Sequence, residues 1–336
     1  MELLKEIFVY LAKIFFGEKQ TKFVLSSYIQ EILIKIYQTK NRSKILFLFF
    51  NANTNLYFME NQSKPILIPT DFTVVAQYAI EWAVPFAKGT NTDIVLVHIV
   101  KKSDEIPDAM AKVEQEAEEA AKKFGVQVTG IVREGTIFTT IGETVDELDA
   151  NLVFMGTHGV KGMQKLLGSW ALKVIVTSKV PFIVVQAPPI KNTIDKIAFP
   201  IDFKRENREK IGWAYYVARM FNSKVYIIRA EPSRDKKIEQ GIRANLVFTE
   251  KFLRSKNVKF EVTMANGKAS FAKESLRYAE NIEADLILIT TTKGISRMDF
   301  VLGASEEEVI TNSANIPVMC INPRKAKIGG FSATGG

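Results

Sequence analysis

Residues 64 to 188 and 195 to 323 align with each other, and a repeat of this length means one supersecondary plan used twice. Lys64-Pro-Ile-Leu-Ile-Pro-Thr-Asp-Phe72 matches Asp195-Lys-Ile-Ala-Phe-Pro-Ile-Asp-Phe203. Ala150-Asn-Leu-Val-Phe-Met155 matches Ala284-Asp-Leu-Ile-Leu-Ile289, and Val180-Pro-Phe-Ile-Val-Val185 matches Ile316-Pro-Val-Met-Cys-Ile321. Between the halves, Pro188-Pro-Ile-Lys-Asn-Thr193 reads as a linker, with residues 189–194 separating the two domains. Residues 324–336, Lys-rich and then Gly- and Ser-containing, read as a flexible tail.

Within each half, short apolar runs alternate with helical patterns. In the first, strands are expected at Pro65 to Pro69, Asp93 to Val100, Gln127 to Arg133, Leu152 to Gly156 and Phe182 to Gln186. Helices are expected over Val74 to Lys88, about Asp104 to Phe124, Thr136 to Asp149 and about Leu167 to Ser178. Near-continuous apolar strands separated by helices imply a parallel sheet covered on both faces. Right-handed crossovers then make an α/β fold: two tandem doubly wound domains, each a five-stranded parallel sheet with helices on both faces. The last strands, Phe182 to Gln186 and Val318 to Asn322, carry apolar edges that would be pairing templates if left exposed.

Residues 1–58 stand outside this plan. They hold seven Lys, one Arg, four Glu and no Asp, a charge of +4 out of the chain's +8. Twelve of the 35 aromatic residues lie there, and Phe, Tyr, Ile, Asn, Lys and Leu fill 38 of the 58 positions. Those are residues with AT-rich codons, as when an upstream region is translated, and Met59 is read as the natural start; the alternative is a basic amphipathic surface helix around Glu6 to Lys22. Apolar runs such as Ile45 to Phe50 fall far short of the roughly 20 residues of a membrane span. Once this leader is set aside, neither nucleic-acid binding nor a membrane span has support. One cysteine, Cys320, and two histidines exclude a disulfide framework and a cysteine-rich zinc site, and point to a reducing, cytoplasmic compartment.

In doubly wound sheets, ligands bind beyond the carboxyl ends of the strands. The first strand is followed there by Pro69-Thr70-Asp71-Phe72, and the second ends in His98-Ile99-Val100. The fourth leads into Met155-Gly156-Thr157-His158-Gly159, and then Gly168-Ser169-Trp170. Glycines let backbone N–H groups approach a phosphate, and Gly168-Ser169 opens a helix whose N-terminus favours an anion. Asp71 can accept from ribose hydroxyls or an adenine amino group. It can equally cap the helix beginning near Thr73.

Both halves resemble the universal stress protein domain, on the strength of Pro69-Thr-Asp-Phe72, Leu96-Val-His-Ile-Val100, and Met155-Gly-Thr-His-Gly159 with Gly168-Ser169. ATP-binding members of that family carry Gly-x2-Gly-x9-Gly-Ser/Thr; here eight residues separate Gly159 from Gly168. The resemblance implies an adenine-nucleotide site, for ATP accompanied by Mg2+, built from Pro69, Thr70, Asp71, Ile99, Met155, Gly156, His158, Gly159, Gly168, Ser169 and Trp170. It implies a stress-response or signalling module with a protein partner, not a committed enzyme, and one pseudo-dimer in which Phe182 to Gln186 and Val318 to Asn322 form or border the contact between halves. The alternative is a structural or interaction protein of the same fold that binds no nucleotide.

The second half is expected to be degenerate, with Thr291 in place of Gly156, Ala304 in place of Ser169, and Glu306-Glu307-Glu308 opening the next helix. Asp202 survives there and reads as a helix cap. His98 reads as a hydrogen-bonded structural residue, the Glu114 to Glu119 cluster as a solvated face, and Cys320 as an inert core thiol. A P-loop NTPase and a Rossmann dehydrogenase are excluded by the missing Gly-x4-Gly-Lys-Ser/Thr and by Pro-Thr-Asp-Phe where dinucleotide glycines would sit.

Overall fold

The computed structural model describes residues 64–157, 174–175, 178–204, 207–291 and 304–322. His158, Gly159, Gly168, Ser169, Trp170, the leader, the tail and most of the helix expected near 167–178 lie outside the described residues. The first half runs β1 (Ile66–Pro69), α1 (Val74–Thr90), β2 (Ile94–Val100), α2 (Ile106–Phe124), β3 (Val128–Glu134), α3 (Ile137–Glu147), β4 (Leu152–Gly156) and β5 (Phe182–Val185). The second runs β6 (Lys196–Ile201), α4 (Asn207–Phe221), β7 (Lys224–Arg229), α5 (Lys236–Ser255), β8 (Phe260–Met264), α6 (Phe271–Asn281), β9 (Leu286–Thr290), α7 (Ala304–Ile310) and β10 (Val318–Ile321).

Local chemistry accounts for the helix ends. Gly125 terminates α2 at φ 65°, its N–H on Ala121 O at 2.9 Å, with Lys122 and Lys123 beside the negative end of the dipole. Asp235 caps α5 by accepting from the N–H groups of Lys237 and Ile238, and Ser270 caps α6 through Lys273 N–H. Gly130 of β3 is obligatory because a Cβ there would stand 2.8 Å from Val113 O of α2.

Among the described residues, ten strands form one sheet in the order β3-β2-β1-β4-β5-β10-β9-β6-β7-β8. Within each half the neighbours are parallel, and both halves use the same order about a switch point between the first and fourth strands. The seam is antiparallel, pairing Val318 with Val184, Met319 with Ile183 and Cys320 with Phe182. Residues of both halves share one apolar cluster, which includes Leu67, Val153, Phe182, Ala198, Ile287 and Val318. On the sheet's other face Phe86 of α1 makes edge contacts at 5.1 Å with Phe154 and with Phe221 of α4. Burying each such side chain stabilises by roughly 1.5–3 kcal/mol. The two halves therefore cohere within the compact unit Phe58–Gly336. Among the described residues no helix is long and apolar enough to cross a membrane. Cys320 is fully buried in β10, and burial pushes its thiol pKa up, as expected of an inert core thiol.

Candidate functional site

The carboxyl ends of β1, β2 and α2's inner face bring together Thr70, Asp71, Phe72, His98 and Glu116. Thr70 Oγ1 donates to Glu116 Oε2 at 2.8 Å and accepts from Phe72 N–H at 3.1 Å. His98 Nδ1 lies 2.8 Å from Thr70 O; a carbonyl only accepts, so Nδ1 carries the proton. The His98 ring packs on Phe72 at 4.5 Å, and Phe72 holds φ 62°. A bulky residue at positive φ is strained, and such strain persists only where neighbours over-determine the conformation. Here the Thr70 bond and the His98 contact do so. The corresponding Phe203 of the second half is not among the positive-φ residues.

Asp71 is exposed, and its Oδ1 accepts from Thr73 N–H at 3.1 Å and Thr73 Oγ1 at 2.5 Å. That is an Asx turn ahead of the helix; Thr73 itself occupies the N-cap position of α1. Among the described residues, Asp71 Oδ2 has no hydrogen-bond partner. Glu116 corrects the reading of residues 114–119 as wholly solvated. Glu116 is half-buried beside the buried stripe of α2, Ala109, Val113, Ala117 and Ala120, whose 4-4-3 spacing is readable in the sequence. Burial pushes the Glu116 carboxyl above its ordinary range; the Thr70 bond opposes this, Asp71 adds to it, and His98 opposes.

The remaining expected residues divide. Pro69 ends β1 and Thr70 is buried beside it. Met155 is part of the core cluster and Ile99 packs against that cluster, so both side chains face inward. Gly156 ends β4, but a Cβ there would meet Val75 O of α1 at 2.0 Å. The glycine is thus required by the close approach of α1, whatever else its backbone does. Thr157 follows, its N–H on Val185 O at 2.9 Å; its Oγ1, and Oε1 of Gln186, are buried without a partner among the described residues. Orphaned buried polar atoms are uncommon, and sequence reading did not single out these two.

The second half corrects one alignment. Thr291 N–H bonds Ile321 O at 3.0 Å, as Thr157 bonds Val185, and β9 ends at Thr290 where β4 ends at Gly156. Thr290, not Thr291, therefore takes the place of Gly156. The segment from strand end to loop glycine is one residue longer in the second half, Thr290 to Gly294 against Gly156 to Gly159, which shifts any alignment made on the glycines. In the loop before α4, Asp202 Oδ1 accepts from Lys204 N–H at 2.9 Å and Asn207 Nδ2 at 2.5 Å, and among the described residues it meets no helical N–H. Asn245 Nδ2 adds bonds to Asp202 O and Lys204 O, and Lys204 Nζ lies 3.9 Å from Asp202 and 3.8 Å from Glu306 of α7. Under this loop Lys210 is 2% exposed, donates to Pro200 O, and rests 4.4 Å above the Phe199 ring. Burial lowers its pKa to about 7.

Comparison with known proteins agrees with this architecture. The model of the universal stress protein family matches residues 62–186. A universal stress protein of Methanocaldococcus jannaschii is 31% identical over 160 residues, 42% of this chain and 92% of that protein. The crystal structure of a universal stress protein from Archaeoglobus fulgidus has a TM-score of 0.63 at 23% identity, covering 78% of this chain and 99% of that one. A putative universal stress protein from Pseudomonas aeruginosa has a TM-score of 0.56 at 18% identity, covering 79% of this chain and 95% of its own. These two structures share the fold across more of the chain than one half supplies. With a matched family domain and a relative covered almost end to end, the chain belongs to the universal stress protein family.

Proposed function

We propose that the chain is a tandem universal stress protein whose halves pair as a pseudo-dimer and which binds ATP at the strand ends of its first half. It acts as a cytoplasmic stress-response or signalling module toward a protein partner, binding the nucleotide without turning it over as an enzyme. The observation that carries this reading is the contrast between the two halves. In the first, among the described residues, Asp71 keeps one carboxylate oxygen unengaged, and Thr157 Oγ1 and Gln186 Oε1 have no partner. In the second, Asp202, Lys204, Glu306, Thr291 and Asn322 are engaged with one another or with their own loop.

Asp71 would accept from ribose or adenine, and Thr70, Ile99 and Met155 would shape the pocket through their backbone. The glycine segment with Ser169 would receive the phosphates. A micromolar site needs about 8 kcal/mol, within reach of three or four charge-assisted bonds of roughly 1.5–3 kcal/mol each. Among the described residues no group of three or more His, Cys, Asp or Glu is placed to hold a metal ion. Any Mg2+ would then be carried by the triphosphate.

The test is calorimetric titration of the full chain with ATP, together with mass spectrometry of nucleotide released on denaturation. One site per chain, lost on Asp71→Ala and retained on Asp202→Ala, is expected. Two equivalent sites would overturn the one-sided assignment, and loss on Asp202→Ala alone would reverse it. No binding at all would favour the interaction-protein reading.

A further inference from the structure

We infer that Glu116 of α2 is a positioning residue for Asp71, acting through the Thr70 hydroxyl. The inference rests on the nucleotide reading above for what Asp71 binds. Thr70, Asp71, Phe72, His98 and Glu116 all lie among the described residues.

Asp71 stands between two residues that one hydroxyl ties together. Thr70 Oγ1 accepts from Phe72 N–H at 3.1 Å, and its own proton goes to Glu116 Oε2 at 2.8 Å. A hydroxyl whose proton rests on a carboxylate is the better acceptor, because bonds in a chain polarise one another. From the other side His98 Nδ1 donates to Thr70 O at 2.8 Å, and the His98 ring packs on Phe72. Together these contacts hold Phe72 at φ 62°. With the chain so turned, Asp71 places Oδ1 on Thr73 N–H and Thr73 Oγ1, and Oδ2 meets no partner among the described residues.

The second half repeats the Asp-Phe pair without this support. Ile201 stands in the place of Thr70 and has no hydroxyl. Phe248 precedes β8 by as many residues as Glu116 precedes β3, so an apolar ring stands in the place of the carboxylate. Phe203 is then not among the positive-φ residues, and Asp202 Oδ1 turns to Lys204 N–H and Asn207 Nδ2. The same dipeptide, with both members of the Thr–Glu pair replaced, takes another backbone conformation and commits its carboxylate to its own loop. The unengaged oxygen of Asp71 therefore goes with the Thr70–Glu116 pair and not with the Asp-Phe sequence.

A pH dependence follows. Burial raises the Glu116 pKa above the ordinary carboxylate range, the Thr70 bond opposes this, Asp71 adds to it, His98 opposes, and Glu119 of the same helix adds. Arg133 of β3, the strand along α2, pairs with Glu147 instead. As pH falls through the raised pKa, Glu116 becomes neutral and its charge-assisted bond to Thr70 is lost. The hold on Asp71 loosens, and affinity at Asp71 falls in acid.

The experiment titrates the full chain, Glu116→Leu and Glu116→Gln with ATP from about pH 5 to 8, and follows the Phe72 amide by NMR over the same range. Leucine fills the space but offers no acceptor, and should weaken ATP binding about tenfold at the upper pH. Glutamine accepts from Thr70 through its side-chain carbonyl and does not titrate. It should recover affinity to within about threefold and flatten the acid loss seen in the unaltered chain. Protonation of ATP itself is common to all three profiles and cancels in their comparison. Equal affinity of Glu116→Leu and the unaltered chain would overturn the inference. So would an acid loss that persists in Glu116→Gln, or an affinity that rises in acid. If Glu116→Leu does not fold, the Glu116→Gln profile alone decides. If the unaltered chain binds no ATP, the nucleotide reading fails separately, and the Phe72 amide decides. A pH-dependent shift in the unaltered chain that vanishes in Glu116→Gln upholds the positioning; one that persists there, or never appears, overturns it.

Discussion

Lys210 should make the stability of this protein depend on pH in a window where few side chains titrate, and Lys210→Met should remove that dependence. In the folded chain the amine sits under the loop before α4, with Pro200 O as acceptor and the Phe199 ring beneath it. Burial is the main cause of its fall from 10.5 to about 7; Asp202 pulls the other way and Lys204 adds to the fall. In the unfolded chain the lysine retains its ordinary pKa, so between pH 7 and 10.5 the unfolded state binds more protons. Stability therefore rises with pH across that window. A difference of 3.5 units corresponds to a penalty of about 4 kcal/mol at pH 7, about 2 kcal/mol at pH 9, and almost nothing above pH 10.5. Methionine matches the length of the apolar stem and removes the charge, but strands Pro200 O at a cost of roughly 1–3 kcal/mol. The net change at pH 7 is thus a gain of about 1–3 kcal/mol, falling by about 2 kcal/mol at pH 9. Urea unfolding of both proteins at several values between pH 6.5 and 9 measures it, because every other titrating group cancels in the difference. A difference that stays constant to within about 0.5 kcal/mol would refute the reasoning.

Gly156→Ala should lower stability by roughly 1–3 kcal/mol or more, since a Cβ 2.0 Å from Val75 O forces α1 away from the sheet; a thermal melt within 1–2 °C of the unaltered chain would count against this. Thr70→Val removes the hydrogen bond that holds the Glu116 carboxyl down, so its pKa, already raised by burial, should rise further. A carboxyl-carbon NMR titration reads this directly, and an unchanged or lower midpoint contradicts the placement of Thr70 against Glu116.

Much of the fold was legible before any coordinates. Near-continuous runs such as Ile94-Val-Leu-Val97 and Leu286-Ile-Leu-Ile289 can bury both faces only inside a covered parallel sheet, so strand positions and fold class followed from hydropathy and length. The repeat announced two halves of one plan. Gly125 and Lys122-Lys123 marked the end of α2 for reasons internal to a helix.

What the residues do beyond their own element was decided by contacts that no local pattern encodes. Gly156 looked like a ligand-approach glycine, and only the packing of α1 over β4 shows that Val75 demands it. Glu116 sat in a run of charges, and its value comes from Thr70, 46 positions away. The Asn322 amide reaches residues 144 and 147 positions distant, and Gln186 reaches Ile310 across 124. Hydrophobic periodicity reports which face of an element is buried, because burial acts on each residue through its own exposed area. A hydrogen bond between two buried polar groups depends on the position of both partners to within tenths of an ångström. That position exists only once the sheet, its seam and its helices are assembled.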